Sequence, residues 1–387
     1  MSLNAYIIAG EPSGDRLGGA LMTAMSGKTE VAFHGVGGRD MIAAGLEPLF
    51  DMSDLTVMGL SEVLPRLPLI LRRIRETAED IVVRRPDVLI TIDAPDFSLR
   101  VARRVRKVLP DLKVVHYVAP SVWAWRPGRA AKMARHVDHV LALLPFEPPY
   151  MEAAGMTCDF VGHPVATRAR PDVADTIAFR RRKGIPEDAK LLLLAPGSRN
   201  GEVRRLGPDF LGTVQRLRRD NPELQVVVPL AELVETQVRE LLAPLSPAPH
   251  FVVSGEGEAE KMLAFASADA ALCASGTVTL EIAAMGTPMV AAYRTTWLTA
   301  QIVRRVVKVR TANLINLVSD RDVVPEFLQE YCSVESLSAA LTPLLTDETA
   351  AQRQRDVFDE VLVTLGRGGM PPAQRAAESV LRFLDRR

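Results

Sequence analysis

The sequence predicts an α/β protein of two doubly wound parallel-sheet domains facing a cleft, with helices closing the C-terminus. Three observations carry this. Short, continuously apolar runs alternate with amphipathic stretches along most of the chain, the pattern of strands buried on both faces and the helices that cover them. The length of 387 residues suffices for two domains with separate cores. Gly, Pro and charged residues cluster from 162 to 172, between the two sets of elements. The expected domains are therefore 1–165 and 172–345, followed by a helical tail over 346–387.

In the first half the apolar runs 5–9, 31–36, 88–92, 114–118 and 140–144 read as strands, with a strand-like stretch at 158–161. The segments 17–25, 69–83 and 99–108 have helical periodicity. In the second half the strands are 191–195, 225–228, 250–253, 270–274 and 289–293, and the helices include 210–218, 231–242, 258–266 and 277–285. The tail ends on an amphipathic helix, 373–384. Right-handed crossovers wind each half on both faces and put ligands at the carboxyl ends of the strands.

Composition narrows the function. With 47 basic and 47 acidic residues the net charge is zero, so no overall field favours nucleic acid. Cys158, Cys273 and Cys332 are scattered, have no metal spacing and fit a reducing compartment. The N-terminus lacks the pattern of a secretory signal, and no apolar run reaches the length of a membrane span. A cytoplasmic protein is expected. Locally, Arg100, Arg103, Arg104, Arg106, Lys107, Lys113, Arg126, Arg129, Lys132 and Arg135 form a basic surface. It reads either as a solvated helix face or as ground for an anionic substrate or membrane. The segment 55–75 is both apolar and basic, as interfacial segments are, or is a core-facing helix with a charged outer side. Pro65 and Pro68 are expected to break it into short pieces, and 302–310 has the same character.

Five loops could carry chemistry. The turn Ala274-Ser275-Gly276-Thr277 opens a helix with Glu281 in its first turn. Hydroxyls and free amides there suit a phosphate, and Glu281 suits a ribose. The alternative is an N-capped helix, with Ser275 or Thr277 as the cap. Gly10-Glu11-Pro12-Ser13-Gly14-Asp15 follows the first strand without the spacing of a dinucleotide loop, which disfavours a nicotinamide enzyme. Glu11, Ser13 and Asp15 could grip hydroxyls, or Asp15 could simply cap the helix. Asp93 and Asp96 end a strand, where a carboxylate can serve as general base; Asp96 could instead cap the next helix. Trp123, Trp125 and Arg126 can hold apolar and anionic parts of one ligand, or the tryptophans can plug the domain bottom. Gly197-Ser198-Arg199, with Glu202, allows close backbone approach and neutralises a diphosphate, or is an ordinary turn. His136 and His139 share helical spacing with Asp138 but read as surface, and Asp320 and Asp322 lack the context of a metal site, so no metal is assigned.

Taken in order, these motifs resemble lipid-A-disaccharide synthases. The matching residues are Ala9-Gly-Glu-Pro-Ser-Gly-Asp15, Val57-Met-Gly59, Ile92-Asp-Ala-Pro-Asp-Phe97, Pro120-Ser-Val-Trp-Ala-Trp-Arg126, Leu144-Pro-Phe-Glu147, Gly162-His163, Pro196-Gly-Ser-Arg199 with Glu202, Ala274-Ser-Gly-Thr277 through Glu281, Pro288-Met-Val290 with Tyr293-Arg294, and Pro325-Glu326 with Leu328-Gln329. The resemblance implies a GT-B fold and an inverting transfer of 2,3-diacylglucosamine from its UDP derivative to the 6-hydroxyl of 2,3-diacylglucosamine 1-phosphate. It implies no metal or other cofactor, and work at the inner-membrane surface. Asp93 is then the general base and Arg199 the phosphate-loop arginine. Ser275, Gly276, Thr277 and Glu281 hold UDP, and Trp123, Trp125 and Arg126 lie on the acceptor side. Asn313 matches a residue the family uses, although Ala312 stands where proline is usual. Glu11, Ser13, Gly14, Asp15, Asp96, His163, Gly197, Ser198, Glu202 and Gln329 complete the expected substrate-binding set. A homodimer by exchange of the helical tail stays open. So do a nucleotide-sugar epimerase or a transferase with a soluble acceptor, and a non-catalytic nucleotide-binding protein.

Overall fold

A computed structural model describes residues 2–55, 60–124, 128–296 and 311–385, with backbone only for 60–65. The chain forms two compact units, Met1–Thr167 with Leu365–Arg387, and Arg168–Thr364. The first contains strands β1 (Leu3–Ala9), β2 (Val31–Val36), β3 (Glu47–Pro48), β4 (Val88–Ile92), β5 (Lys113–Tyr117), β6 (His139–Ala142) and β7 (Thr157–Phe160). They pair in the order β3-β2-β1-β4-β5-β6-β7, all parallel. The second contains β8 (Leu191–Ala195), β9 (Gln225–Pro229), β10 (His250–Val252), β11 (Ala270–Ala274), β12 (Met289–Tyr293) and β13 (Glu326–Leu328). Their order is β10-β9-β8-β11-β12-β13, again all parallel.

Both sheets are covered on both faces, as the continuous apolar strands require. Along β1, Tyr6 and Ile8 enter one layer with Ile74, Ile81 and Val101. Ala5, Ile7 and Ala9 enter the opposite layer with Leu21, Met22 and Val380. In the second unit Leu192 and Leu194 of β8 pack with Phe210, Val214 and Leu341. The strand order reverses at β1/β4 in the first sheet and at β8/β11 in the second. Loops leaving the carboxyl ends of such a pair diverge and open a crevice for ligand.

The strands match the sequence expectation to within about two residues, apart from the short edge strands β3 and β13, which are too short and polar to show as apolar runs. Several helices begin earlier than their apolar periodicity suggests, at Pro12, Pro95 and Asn200. Their first turns hold Pro, Gly and polar residues, which read as loop, although Pro is pre-organised for a first turn.

The expected break at Pro65 and Pro68 does not occur: one helix spans Leu60–Arg84. Ile74, Ala78 and Ile81 anchor its second half in the core. Arg66, Leu67 and Pro68 are exposed. Residues 56–59 and 302–310 lie outside the described residues. No helix among those described is long and apolar enough to cross a membrane.

The tail is not one segment. Helices Val334–Thr346 and Glu348–Thr364 belong to the second unit, whereas Pro372–Asp385 packs in the first. There Ala376, Ala377 and Val380 are buried, and Ser379 bonds His139 Nε2 (2.7 Å) and donates to Asp159 (2.6 Å). His139 therefore lies buried in β6 beneath this helix, not on a helical face shared with His136 and Asp138.

Candidate active site

In the first unit the switch point brings the loops after β1 and β4 together. A methyl group added at Gly10 would lie 3.0 Å from Ala94 Cβ, so this position has room for glycine alone unless the second loop moves. Asp93 and Ala94 both take left-handed backbone conformations, with φ of 46° and 43°. Such strain in non-glycine residues persists only where the surroundings enforce it. Here the Asp93 amide donates to Tyr117 O (3.0 Å), and Ser98 Oγ donates to Asp93 O (2.6 Å). The Asp93 side chain is largely desolvated, which raises its pKa above the usual carboxylate range, with a hydrogen bond from the Ala94 amide opposing. Asp96 is exposed in the first turn of Pro95–Val105 and does not cap it; Ala94 occupies the cap position. Of the two, Asp93 is the one withdrawn from solvent.

Glu11 and Ser13 are exposed where Pro12–Ser26 begins, and Gly14 is buried against Ile92. Asp15 neither caps that helix nor faces solvent. It is buried, with Oδ1 accepting from the Gly38 (2.7 Å) and Met41 (3.1 Å) amides and Oδ2 from the Asp40 amide (2.9 Å). Its carboxylate ties the loop after β2 to the helix after β1.

Beyond β5 and β6 on the same sheet edge stand Trp123 and Glu147. Trp123 Nε1 donates to Glu147 Oε1 (3.3 Å), and its ring meets Phe146 edge-on, with centroids 5.1 Å apart. Glu147 Oε2 accepts from the Leu143 (3.1 Å) and Leu144 (3.0 Å) amides. Glu147 is only 3% exposed, and desolvation lifts its pKa to about 7 against those hydrogen bonds. Trp125 and Arg126 lie outside the described residues. His163, after β7, is half-buried; its amide donates to Leu365 O (3.0 Å) and its Nδ1 accepts from the Val165 amide (3.1 Å).

In the second unit the paired loops follow β8 and β11. Gly197 has φ +120°, and a Cβ there would strike Glu202 Oε2 at 2.6 Å. That oxygen accepts from the Ser198 amide (3.1 Å). Glu202 thus shapes the loop, while Arg199, 3.5 Å from Glu202 Oε1, keeps a side chain 75% exposed at the start of Asn200–Asp220. After β11, helix Val278–Met285 starts at Thr277 without a side-chain cap, contrary to the capped-helix alternative. Space beside Gly276 is open to 4 Å. Ser275 Oγ donates to Glu326 Oε1 (2.7 Å), and Glu326 Oε2 accepts from Thr311 Oγ1 (2.7 Å) and the Ala312 amide (2.9 Å). Asn313 is fully buried: Oδ1 caps helix Leu314–Ser319, and among the described residues Nδ2 has no hydrogen-bond partner. Gln329, at φ +53°, accepts from the Thr295 amide (3.3 Å). Glu281 already meets Lys261 Nζ (2.7 Å) and Arg168 Nη2 (3.3 Å), so a ribose would share it with two cations.

Among the described residues no group of His, Cys, Asp or Glu could hold a metal ion. Glu147 and Glu326 belong to motifs that carry the family resemblance but are not among the candidate site residues expected from the sequence. Each lies in a Pro-containing apolar string, where an isolated acid is the available signal.

A family model described as lipid-A-disaccharide synthetase matches residues 5–379. The chain belongs to this family. Lipid-A-disaccharide synthase of Ruegeria pomeroyi is 51% identical, over 98% of this chain and 95% of the relative. That of Rhodospirillum centenum is 48% identical, over 99% and 95%. Among solved structures, UDP-GlcNAc 2-epimerase from Neisseria meningitidis bound to UDP-GlcNAc aligns with a TM-score of 0.67 at 11% identity, covering 99% of both chains. A glycosyltransferase from Rickettsia africae aligns at 0.61 and 11% identity, over 99% of this chain and 97% of that one. These likenesses show the GT-B fold that family membership leads one to expect, and the family makes the chain a glycosyltransferase of lipid A biosynthesis. The family match, not the fold, separates it from the epimerases.

Asp15→Ala strips three backbone amides of their acceptor in a buried place. It should destabilise the protein by about 2–4 kcal/mol, as read from denaturant unfolding.

Proposed function

We propose that the enzyme transfers 2,3-diacylglucosamine from its UDP derivative to the 6-hydroxyl of 2,3-diacylglucosamine 1-phosphate, with Asp93 as general base. One observation carries the assignment of the base. Asp93 is a desolvated carboxylate in an enforced left-handed conformation, at the carboxyl edge of β4 and beside the reversal of strand order. The base removes the proton of the 6-hydroxyl as its oxygen attacks the anomeric carbon. The bond to UDP breaks on the opposite face, which inverts the centre. The charge that develops on the diphosphate falls to the second unit. Arg199 supplies an exposed guanidinium, and the uncapped start of Val278–Met285 supplies backbone amides. The buried Asn313 Nδ2 is a donor without an acceptor among the described residues, which suits an oxygen of the donor substrate.

An acylated substrate also calls for a membrane surface, and the first unit has a suitable face. Helices Leu60–Arg84 and Pro95–Val105 enclose a groove of about 850 Å³ with an apolar floor that includes Ile74, Ala78 and Val82. Arg75, Arg100, Arg103, Arg104 and Lys107 line it, and none forms an ion pair among the described residues. Unpaired cations over apolar side chains suit anionic headgroups on the inner membrane, and an enzyme held there works from the cytoplasm.

Asp93→Asn should lower kcat by roughly 10²–10⁴-fold with little change in KM, measured as UDP release from donor and acceptor. Because the base acts ionised and its pKa is raised, the parent enzyme should lose activity as pH falls through a value above the usual carboxylate range. Arg103→Glu with Arg104→Glu should weaken binding to vesicles of anionic phospholipid by at least about tenfold, and leave the weaker binding to zwitterionic vesicles nearly unchanged. Co-sedimentation at low and high salt distinguishes the two.

A further inference from the structure

We infer that Glu147 is a positioning residue for Trp123, fixing its indole as one wall of the acceptor site at the carboxyl edge of the first sheet. The inference rests on the proposal that the Trp123 loop serves the acceptor. The geometry carries it, and the ionisation of Glu147 supports it.

Glu147 joins two loops that are otherwise separate in the chain. One oxygen is taken by the Leu143 and Leu144 amides of the loop after β6, and the other by Trp123 Nε1 of the loop after β5. Phe146, one residue before, holds the same indole edge-on. The ring is thus set by a hydrogen bond and a ring contact from a single turn. Trp123 is itself only half-buried, so a face remains for a ligand.

The acid is also costly where it stands. It is 3% exposed, and among the described residues no cation contributes to holding its charge. Across the sheet edge, burial first and then the charges of Glu147, Glu152 and Asp159 hold the proton on Cys158 of β7. A glutamine or an apolar residue would fill the same space with less desolvation. What a carboxylate adds is two acceptor oxygens that serve both loops at once, which an amide with one acceptor cannot do.

Burial lifts Glu147 from 4.5 to about 7. Below that value the proton occupies one oxygen and removes an acceptor, so either Trp123 or the amide pair loses its partner. The tether is then complete above about pH 7 and loosens below it. The charged state costs folding free energy. Glu147's contribution to stability is therefore greatest at pH below its unfolded value and declines as pH rises through about 7, opposite to its contribution to acceptor binding.

The test is a mutant cycle of Glu147→Gln and Trp123→Phe, singly and together, with donor and acceptor varied separately from about pH 5 to about pH 9. Glu147→Gln should raise the acceptor KM roughly tenfold, leave kcat within about twofold and leave the donor KM unchanged. The parent's acceptor kcat/KM should rise around pH 7, and Glu147→Gln should abolish that rise. Trp123→Phe should raise the same KM, and the double variant should be no worse than the more impaired single variant. Multiplying effects, a loss confined to kcat, or an unchanged acceptor KM would each overturn the assignment.

A second measurement needs no substrate. With Trp125 and Trp297 replaced by phenylalanine, Trp123 emission should titrate near pH 7 and become flat when Glu147→Gln is added. A flat parent refutes the tether. If that emission titrates but no UDP is released from the acylated substrates, the function proposed above fails while the coupling of Glu147 to Trp123 stands.

Discussion

Every connection in a parallel sheet must cross one face in the right-handed sense, so reversing the strand order sends two neighbouring loops apart at the carboxyl edge. Both units obey this constraint, at β1/β4 and at β8/β11. The loops that leave those strands contain Gly10, Asp93, Arg199 and Ser275. The first unit thus offers a strained acid, the second an exposed guanidinium and an uncapped helix start. A desolvated carboxylate and an exposed guanidinium need opposite electrostatic surroundings, and each unit supplies one of them.

Acids also hold the functional edges together. Asp15 binds the amides of Gly38, Asp40 and Met41; Glu202 binds the Ser198 amide; Glu326 binds Ser275, Thr311 and Ala312. In each case a carboxylate gathers donors from a turn that has left its sheet and lost its ladder partners. A carboxylate is suited to this because it offers about four acceptor sites and donates nothing. With acids committed to the backbone, Arg199 and the groove cations on the first unit remain turned toward solvent, where an anion can reach them.

Much of this was legible in the chain. Apolar runs such as 88–92, 191–195, 270–274 and 289–293 became strands with those bounds, because a strand covered on both faces needs continuous local hydrophobicity. The loops after them followed from their place, since residues at strand ends must turn. Helix starts were less legible. Pro12 and Pro95 open helices whose first turns face solvent and carry no apolar period. The helix through Pro65 and Pro68 was hidden for the opposite reason: local propensity argued for a break, and burial of Ile74, Ala78 and Ile81 further along decided otherwise.

The sequence by itself determined the fold class, the family and the acid at the end of β4, because each is written in residues that lie next to one another. Only the tertiary structure decided what those residues touch. It committed Asp15 to three amides more than twenty positions away, paired Glu147 with Trp123 and Glu326 with Ser275, and returned the final helix to the first unit. Hydrogen-bond partners and burial depend on distances between strands far apart in the chain, and no local pattern records them.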